Sequence, residues 1–169
     1  MSSCAVVYFS ITGETYFPSG IKHVKVGNTA KVALKLAEIL GCEAKEIVPV
    51  EKYPKGYDAQ LDRAKAELKG NARPAIEPMT VDADDIYLLY PNWYGTAPMP
   101  VMTFLESQDW NERRINPLCT NEGSGLGHSV SDIRKIAEGA EVTDGLEIRG
   151  NKADECEADL KKWVHSLAF

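Results

Sequence analysis

A chain of 169 residues, 44% of them hydrophobic, is long enough for one buried core and too short for two comfortable ones, so a single domain over 1–169 without a linker is expected. Its 19 basic and 25 acidic side chains leave a formal charge of −6, which argues against a nucleic-acid surface and suits solubility or docking to a basic protein. Four scattered cysteines without a C-x-x-C pair argue against a zinc site or disulfide framework and fit a cytoplasmic protein. An unprocessed protein is expected, since the start has no basic and long apolar leader pattern, and the sequence has no membrane-length apolar run.

The first expected strand is the apolar run 5–9. It empties into Ser10-Ile11-Thr12-Gly13, an insertion at about 13–26 follows, and the chain resumes at Gly27-Asn28-Thr29. A helix is expected over 29–40, with Val32, Leu36, Ile39 and Leu40 on one stripe. A strand over 44–48 is interrupted by Lys45 and Glu46, which suits a sheet edge. A helix over 57–69 precedes a polar loop over 71–85 that contains Pro74 and Pro78. Strands over 86–90, 115–119 and 145–148 then alternate with helices over 99–107, 129–137 and 153–167. Gly41, Gly70 and Gly139 mark helix ends, where a positive φ is expected.

Continuous apolar strands are buried on both faces, and five β-α units with right-handed crossovers give a parallel sheet between two helical layers. The expected fold is a doubly wound α/β three-layer sandwich. Its ligands belong at the C-terminal strand ends, near a topological switch point.

Three loops converge there. Ser10, Thr12, Asn28 and Thr29 offer neutral donors beside a helix N-terminus, which suits a phosphate monoester; on these residues alone a simple helix cap at Asn28 or Thr29 is the favoured reading. No G-x-x-x-x-G-K-[ST] or early G-x-G-x-x-G points to a nucleoside triphosphate or ordinary dinucleotide. The second loop, Tyr90-Pro91-Asn92-Trp93-Tyr94-Gly95-Thr96-Ala97-Pro98-Met99-Pro100, sets two aromatics on a stiff segment. Trp93 or Tyr94 can stack on a planar ring, or Trp93 can plug the sheet end as core. The third, Cys119-Thr120-Asn121-Glu122-Gly123-Ser124-Gly125-Leu126-Gly127-His128-Ser129, lets backbone approach a ligand, with His128 as a surface or capping residue.

Together these loops resemble the flavodoxin family of FMN proteins. The matching segments are Tyr8-Phe9-Ser10, Gly27-Asn28-Thr29, Pro91 to Pro100 and Cys119 to Gly125, in order. The resemblance implies five strands in the order 2-1-3-4-5, an order that the residues by themselves do not supply. It also implies that Ser10, Thr12, Gly27, Asn28 and Thr29 bind the FMN phosphate. Pro91, Asn92, Trp93, Tyr94 and Gly95 would flank the isoalloxazine, and Thr120, Asn121, Glu122, Gly123, Ser124 and Gly125 would close its pyrimidine side. No side chain is then itself catalytic, the chemistry residing on the flavin.

Two departures from that pattern stand out. The insertion splits the phosphate motif and carries Tyr16, Phe17, Lys22, His23 and Lys25, which suit either a flap over the cofactor or an exposed variable loop. The loop after strand four lacks the aromatic that would cover a second flavin face. The resemblance thus implies an FMN electron carrier with redox partner proteins. An FMN-dependent NAD(P)H:quinone-type reductase passing electrons to a small acceptor is the alternative, and a module without cofactor is a third class.

Overall fold

Cys4–Tyr8 (β1) lies inside the main sheet, and its neighbours Val6 and Val7 point into opposite cores, as a strand buried on both faces requires. The computed structural model describes residues 3–168. After β1 come β2 (Gly13–Phe17), β3 (Gly20–Val24), α1 (Asn28–Leu40), β4 (Ala44–Glu46) and α2 (Tyr57–Lys69). Then follow β5 (Asp85–Pro91), α3 (Met99–Glu106), β6 (Arg114–Asn121), α4 (Ser129–Ile136), β7 (Glu141–Val142), β8 (Leu146–Arg149) and α5 (Glu157–Leu167).

The main sheet is parallel, in the order β4-β1-β5-β6-β7, with β8 also pairing β6. Helices α1 and α5 cover one face through Val32, Leu36, Leu160 and Trp163. On the other face, α3 and α4 supply Val101, Met102, Phe104, Leu105 and Ile133. This is the doubly wound flavodoxin-like sandwich, and the polar strand β4 does lie at an edge.

The count of five strands needs correction, because the last edge position is divided. β7 pairs with Arg114 and Ile115 at the start of β6, whereas β8 pairs with Leu118 through Asn121 at its end. The Ile115 carbonyl faces this edge, since it accepts the Thr143 amide at 3.0 Å. Pro117, two residues on, faces the same way and has no amide to donate, so the ladder breaks there.

The insertion is not an irregular loop. β2 and β3 pair antiparallel from Gly13–Val24 to Phe17–Gly20 in a hairpin separate from the main sheet. Two helix signals also differ. Gly70 keeps φ at −83°, and Asn71 takes the left-handed position instead at 47°, a conformation a short polar side chain tolerates. Helix α5 begins at Glu157 rather than 153, because Gly150–Lys152 form a tighter 3-10 turn closed by the Ala153 amide on the Gly150 carbonyl. No helix among the described residues is long and apolar enough to cross a membrane.

Candidate functional site

At the C-terminal ends of β1, β5 and β6 a cavity of about 260 Å³ opens between α1, α2 and the hairpin. Its floor begins where β1 turns into α1. Gly27 is the N-cap of α1 and has no side chain with which to cap it, so neither Asn28 nor Thr29 serves as a cap. Of the first helical amides, that of Ala30 donates to Ser10 Oγ at 3.1 Å, and that of Lys31 to the Gly27 carbonyl. The amides of Asn28 and Thr29 come earlier still, where no intrahelical acceptor exists, and both residues line the cavity. The Thr29 hydroxyl pairs with that of Thr120 at 2.7 Å, buried, tying the start of α1 to β6.

Gly27 itself does not line the cavity. A Cβ there would stand 2.2 Å from Ser10 Oγ and 2.3 Å from the Ile11 carbonyl oxygen, so glycine is what allows the two halves of the split loop to meet. Thr12 is exposed and also stays outside, accepting Gln60 Nε2 on its carbonyl at 3.2 Å, while Ile11 takes the inner position.

The wall from β5 is a tight turn. The Trp93 amide donates to the Thr96 carbonyl at 2.9 Å, and Tyr94 and Gly95 between them have φ of 54° and 87°. Two positive φ values at the central positions are the mark of a type I′ turn, an uncommon demand on a tyrosine. Asn92 bolts the turn in place: its Oδ1 accepts the Gly95 amide at 2.8 Å and its Nδ2 donates to the Gly125 carbonyl at 2.9 Å. Pro91, Asn92, Trp93 and Tyr94 line the cavity, but Gly95 does not. Trp93 packs into the sheet end, its ring edge-on to Phe9 at 5.4 Å and to Tyr53 at 5.1 Å, and it also lines the cavity. Tyr53 is in turn held by Glu67 and by Arg63, whose guanidinium lies 3.7 Å from its ring centre.

From β6 come Thr120, Asn121, Glu122 and Ser124, all lining the cavity. Gly123 and Gly125 stand behind them, the Gly123 amide donating to Asn121 Oδ1. Glu122 Oε2 is buried without a hydrogen-bond partner among the described residues. Burial holds this carboxyl above the ordinary carboxylate range, with Arg149 and the Asn151 amide pulling the other way. A buried acceptor lacking a donor fits a ligand that brings hydroxyl groups. His128 is exposed at the N-cap position of α4, its Nδ1 2.6 Å from Asp132 Oδ2, and lies outside the cavity lining.

The hairpin, for which a flap over the cofactor was one expectation, and α2, which carried none, complete the opposite wall. Glu14, Thr15 and Tyr16 come from the hairpin, and Tyr57, Gln60, Leu61 and Ala64 from α2. The α2 set is spaced i, i+3, i+4, i+7, a visible stripe whose destination the sequence does not declare. Gly150 carried no signal; a Cβ there would stand 2.3 Å from Glu122 Oε1 and 2.4 Å from Asn28 Nδ2. Gly13, at φ 98°, seats the hairpin, for its missing Cβ would stand 2.5 Å from the Lys55 carbonyl oxygen, and the Glu14 backbone amide donates to that same oxygen. Tyr16 lies against Tyr57 with ring centres 6.4 Å apart, and Tyr94 Oη donates to the Leu61 carbonyl at 3.4 Å.

Similar solved structures include a candidate flavoprotein from Bacteroides uniformis, 25% identical at a TM-score of 0.78 over 96% of this chain and 97% of that one. A flavoprotein from Lactobacillus acidophilus in complex with FMN is 24% identical, with a TM-score of 0.68 over 97% and 99% of the two chains. Flavodoxin from Fusobacterium nucleatum bound to flavin mononucleotide shares 9% identity and a TM-score of 0.52 over 98% of each chain. No curated protein matches in sequence. The flavodoxin family model matches residues 21–167, most of the chain and two of the three site-forming loops, and the chain therefore belongs to the flavodoxin family.

Proposed function

We propose that this chain binds FMN non-covalently and serves as an electron-transfer protein. The observation that carries this is the meeting, in one cavity, of the N-terminal end of α1, an aromatic turn and an orphaned buried carboxylate oxygen. The Asn28 and Thr29 amides, with Ser10, hold the phosphate at the positive end of α1. Neutral donors suffice there, because they desolvate cheaply and fix geometry; no Lys or Arg is among the lining residues. Glu122 Oε2 accepts a hydroxyl of the ribityl chain. Trp93 and Tyr94 flank the isoalloxazine, Asn92 orients their turn, and Asn121 and Ser124 stand at the pyrimidine side.

Bound FMN supplies one- or two-electron chemistry. The protein's part is to orient it, shield it from water with Trp93, Leu61 and Ala64, and present it to redox partners across an acidic surface. FMN titrated into purified apo-protein gives saturable quenching of its fluorescence. Absence of any saturable change would sink the proposal and leave a module that binds no cofactor.

A second function is favoured by one observation. Residues 122–127, Glu-Gly-Ser-Gly-Leu-Gly, contain no aromatic, so one flavin face is left uncovered from β6 and open to a hydride donor. In that case NAD(P)H reduces the protein directly and a quinone-type molecule takes the electrons. Rapid loss of flavin absorbance on mixing with NADPH alone supports the reductase. Persistence of the absorbance until a partner reductase is added supports the carrier.

A further inference from the structure

Cys4 and Cys42 stand at the end of the sheet opposite the cavity. β1 and β4 run parallel with Val6 beside Ala44, and Cys4 and Cys42, each two residues before that pair, pack against the same apolar cluster that Val6 helps to form. The Val6 amide donates to the Glu43 carbonyl at 2.9 Å, which carries the pairing up to this point. The two thiols lie within hydrogen-bonding reach of each other, and both are free. Neighbouring strands run about 4.8 Å apart, inside the roughly 4.4–6.8 Å Cα separation that a disulfide spans.

Access separates this pair from the other cysteines. Cys4 and Cys42 are half-buried, whereas Cys119 and Cys156 are 0% and 1% exposed. We propose that Cys4 and Cys42 form a reversible dithiol–disulfide site that responds to hydroperoxides.

The step balances as follows in atoms and electrons. The Cys4 thiolate attacks the terminal oxygen of the hydroperoxide, the O–O bond breaks, and the leaving oxygen takes up a proton as an alcohol or water. The Cys42 sulfur then attacks the sulfenic sulfur of Cys4; the S–O bond breaks and water leaves with the Cys42 proton. Two thiols lose two electrons, the hydroperoxide gains them, and a dithiol reductant reverses the change. Burial, and next the neighbouring Cys4, push the Cys42 thiol up to about 12, which makes Cys42 the poor first nucleophile and suits it to the second step.

The bond would close a covalent ring around the whole split loop, the hairpin and α1. It would tie the C-terminal end of α1 to β1 while the other end of α1 faces the cavity. The site does not depend on flavin binding, and its test does not use flavin.

The reduced full-length chain, treated with hydrogen peroxide and alkylated under denaturing conditions, is expected to lose two hydrogens and to retain two alkylatable thiols. Peptide mapping should link Cys4 to Cys42, and dithiothreitol should restore all four thiols. Cys4→Ser and Cys42→Ser should each abolish the change while Cys119→Ser leaves it intact, and the oxidised chain should melt higher than the reduced one. Four thiols remaining after peroxide, an oxygen gained at Cys4 without a link, or a disulfide between two chains would each overturn the proposal.

Discussion

Gly27 illustrates how a single missing atom builds a site, since any Cβ there would overlap Ser10 Oγ and the Ile11 carbonyl. Gly27→Ala is expected to weaken FMN binding more than tenfold, with a smaller loss of riboflavin binding because riboflavin has no phosphate. Fluorescence titrations with both ligands check this, and equal losses would refute the anion site. Thr29→Ala should act in the same sense and also leave the buried Thr120 hydroxyl without its partner, costing about 1 kcal/mol of stability. Trp93→Ala should weaken FMN binding by about fivefold or more, and by more than Tyr16→Ala, stacking being worth about 1 kcal/mol beyond area burial. It should lower the melting temperature too, because the same ring packs on Phe9 and Tyr53. Glu122 makes a pH prediction. Its folded pKa is raised by burial, so its contribution to stability is full below the unfolded value and lost as pH rises through the folded one. Glu122→Gln should therefore melt higher than the parent apo-protein at pH 7, and the gap should close below about pH 4. A constant gap in paired melting curves would refute it.

Among the elements, the strands and helices that fill the core were legible because burial on both faces leaves a continuous apolar run and burial on one leaves a stripe. The hairpin was not. β3 is exposed at four of its five positions, so it has no core face to write an alternating pattern, and β2 alternates over only five residues. The α2 stripe of Tyr57, Gln60, Leu61 and Ala64 could be seen in the sequence, but periodicity says only that a face is covered, and here what covers it is partly a cavity. Three loops carried the site because their residue types are unusual. Gly150 was invisible for the opposite reason: its role is to leave room for Glu122 and Asn28, and emptiness has no motif. Since the hairpin pairs with no main-sheet strand, it should be removable. Replacing residues 13–24 by a short Gly-Ser linker is expected to leave the circular dichroism spectrum of the core intact and to speed FMN dissociation. Collapse of the helical signal would show that the hairpin instead supports the fold.

At the scale of the whole molecule, a charge of −6 acts at a distance. Raising ionic strength from about 0.1 M to about 1 M shortens the screening length from about 10 to 3 Å. Electron exchange with a basic partner protein should slow accordingly in stopped-flow traces, while reduction by a neutral small molecule should barely change. A salt-independent rate with the protein partner would rule out steering by the acidic surface. The divided edge of the sheet has a wider consequence. An unpaired strand edge is a template on which another chain can add, and long flat edges invite aggregation. Here one margin is two short strands interrupted opposite Pro117, and the other is the three residues Ala44–Glu46 with a lysine and a glutamate among them. Neither main-sheet margin offers a long run of free amides and carbonyls. Strand addition is thereby discouraged as a route to self-association, and the molecule can crowd against its own copies without polymerising along its sheet.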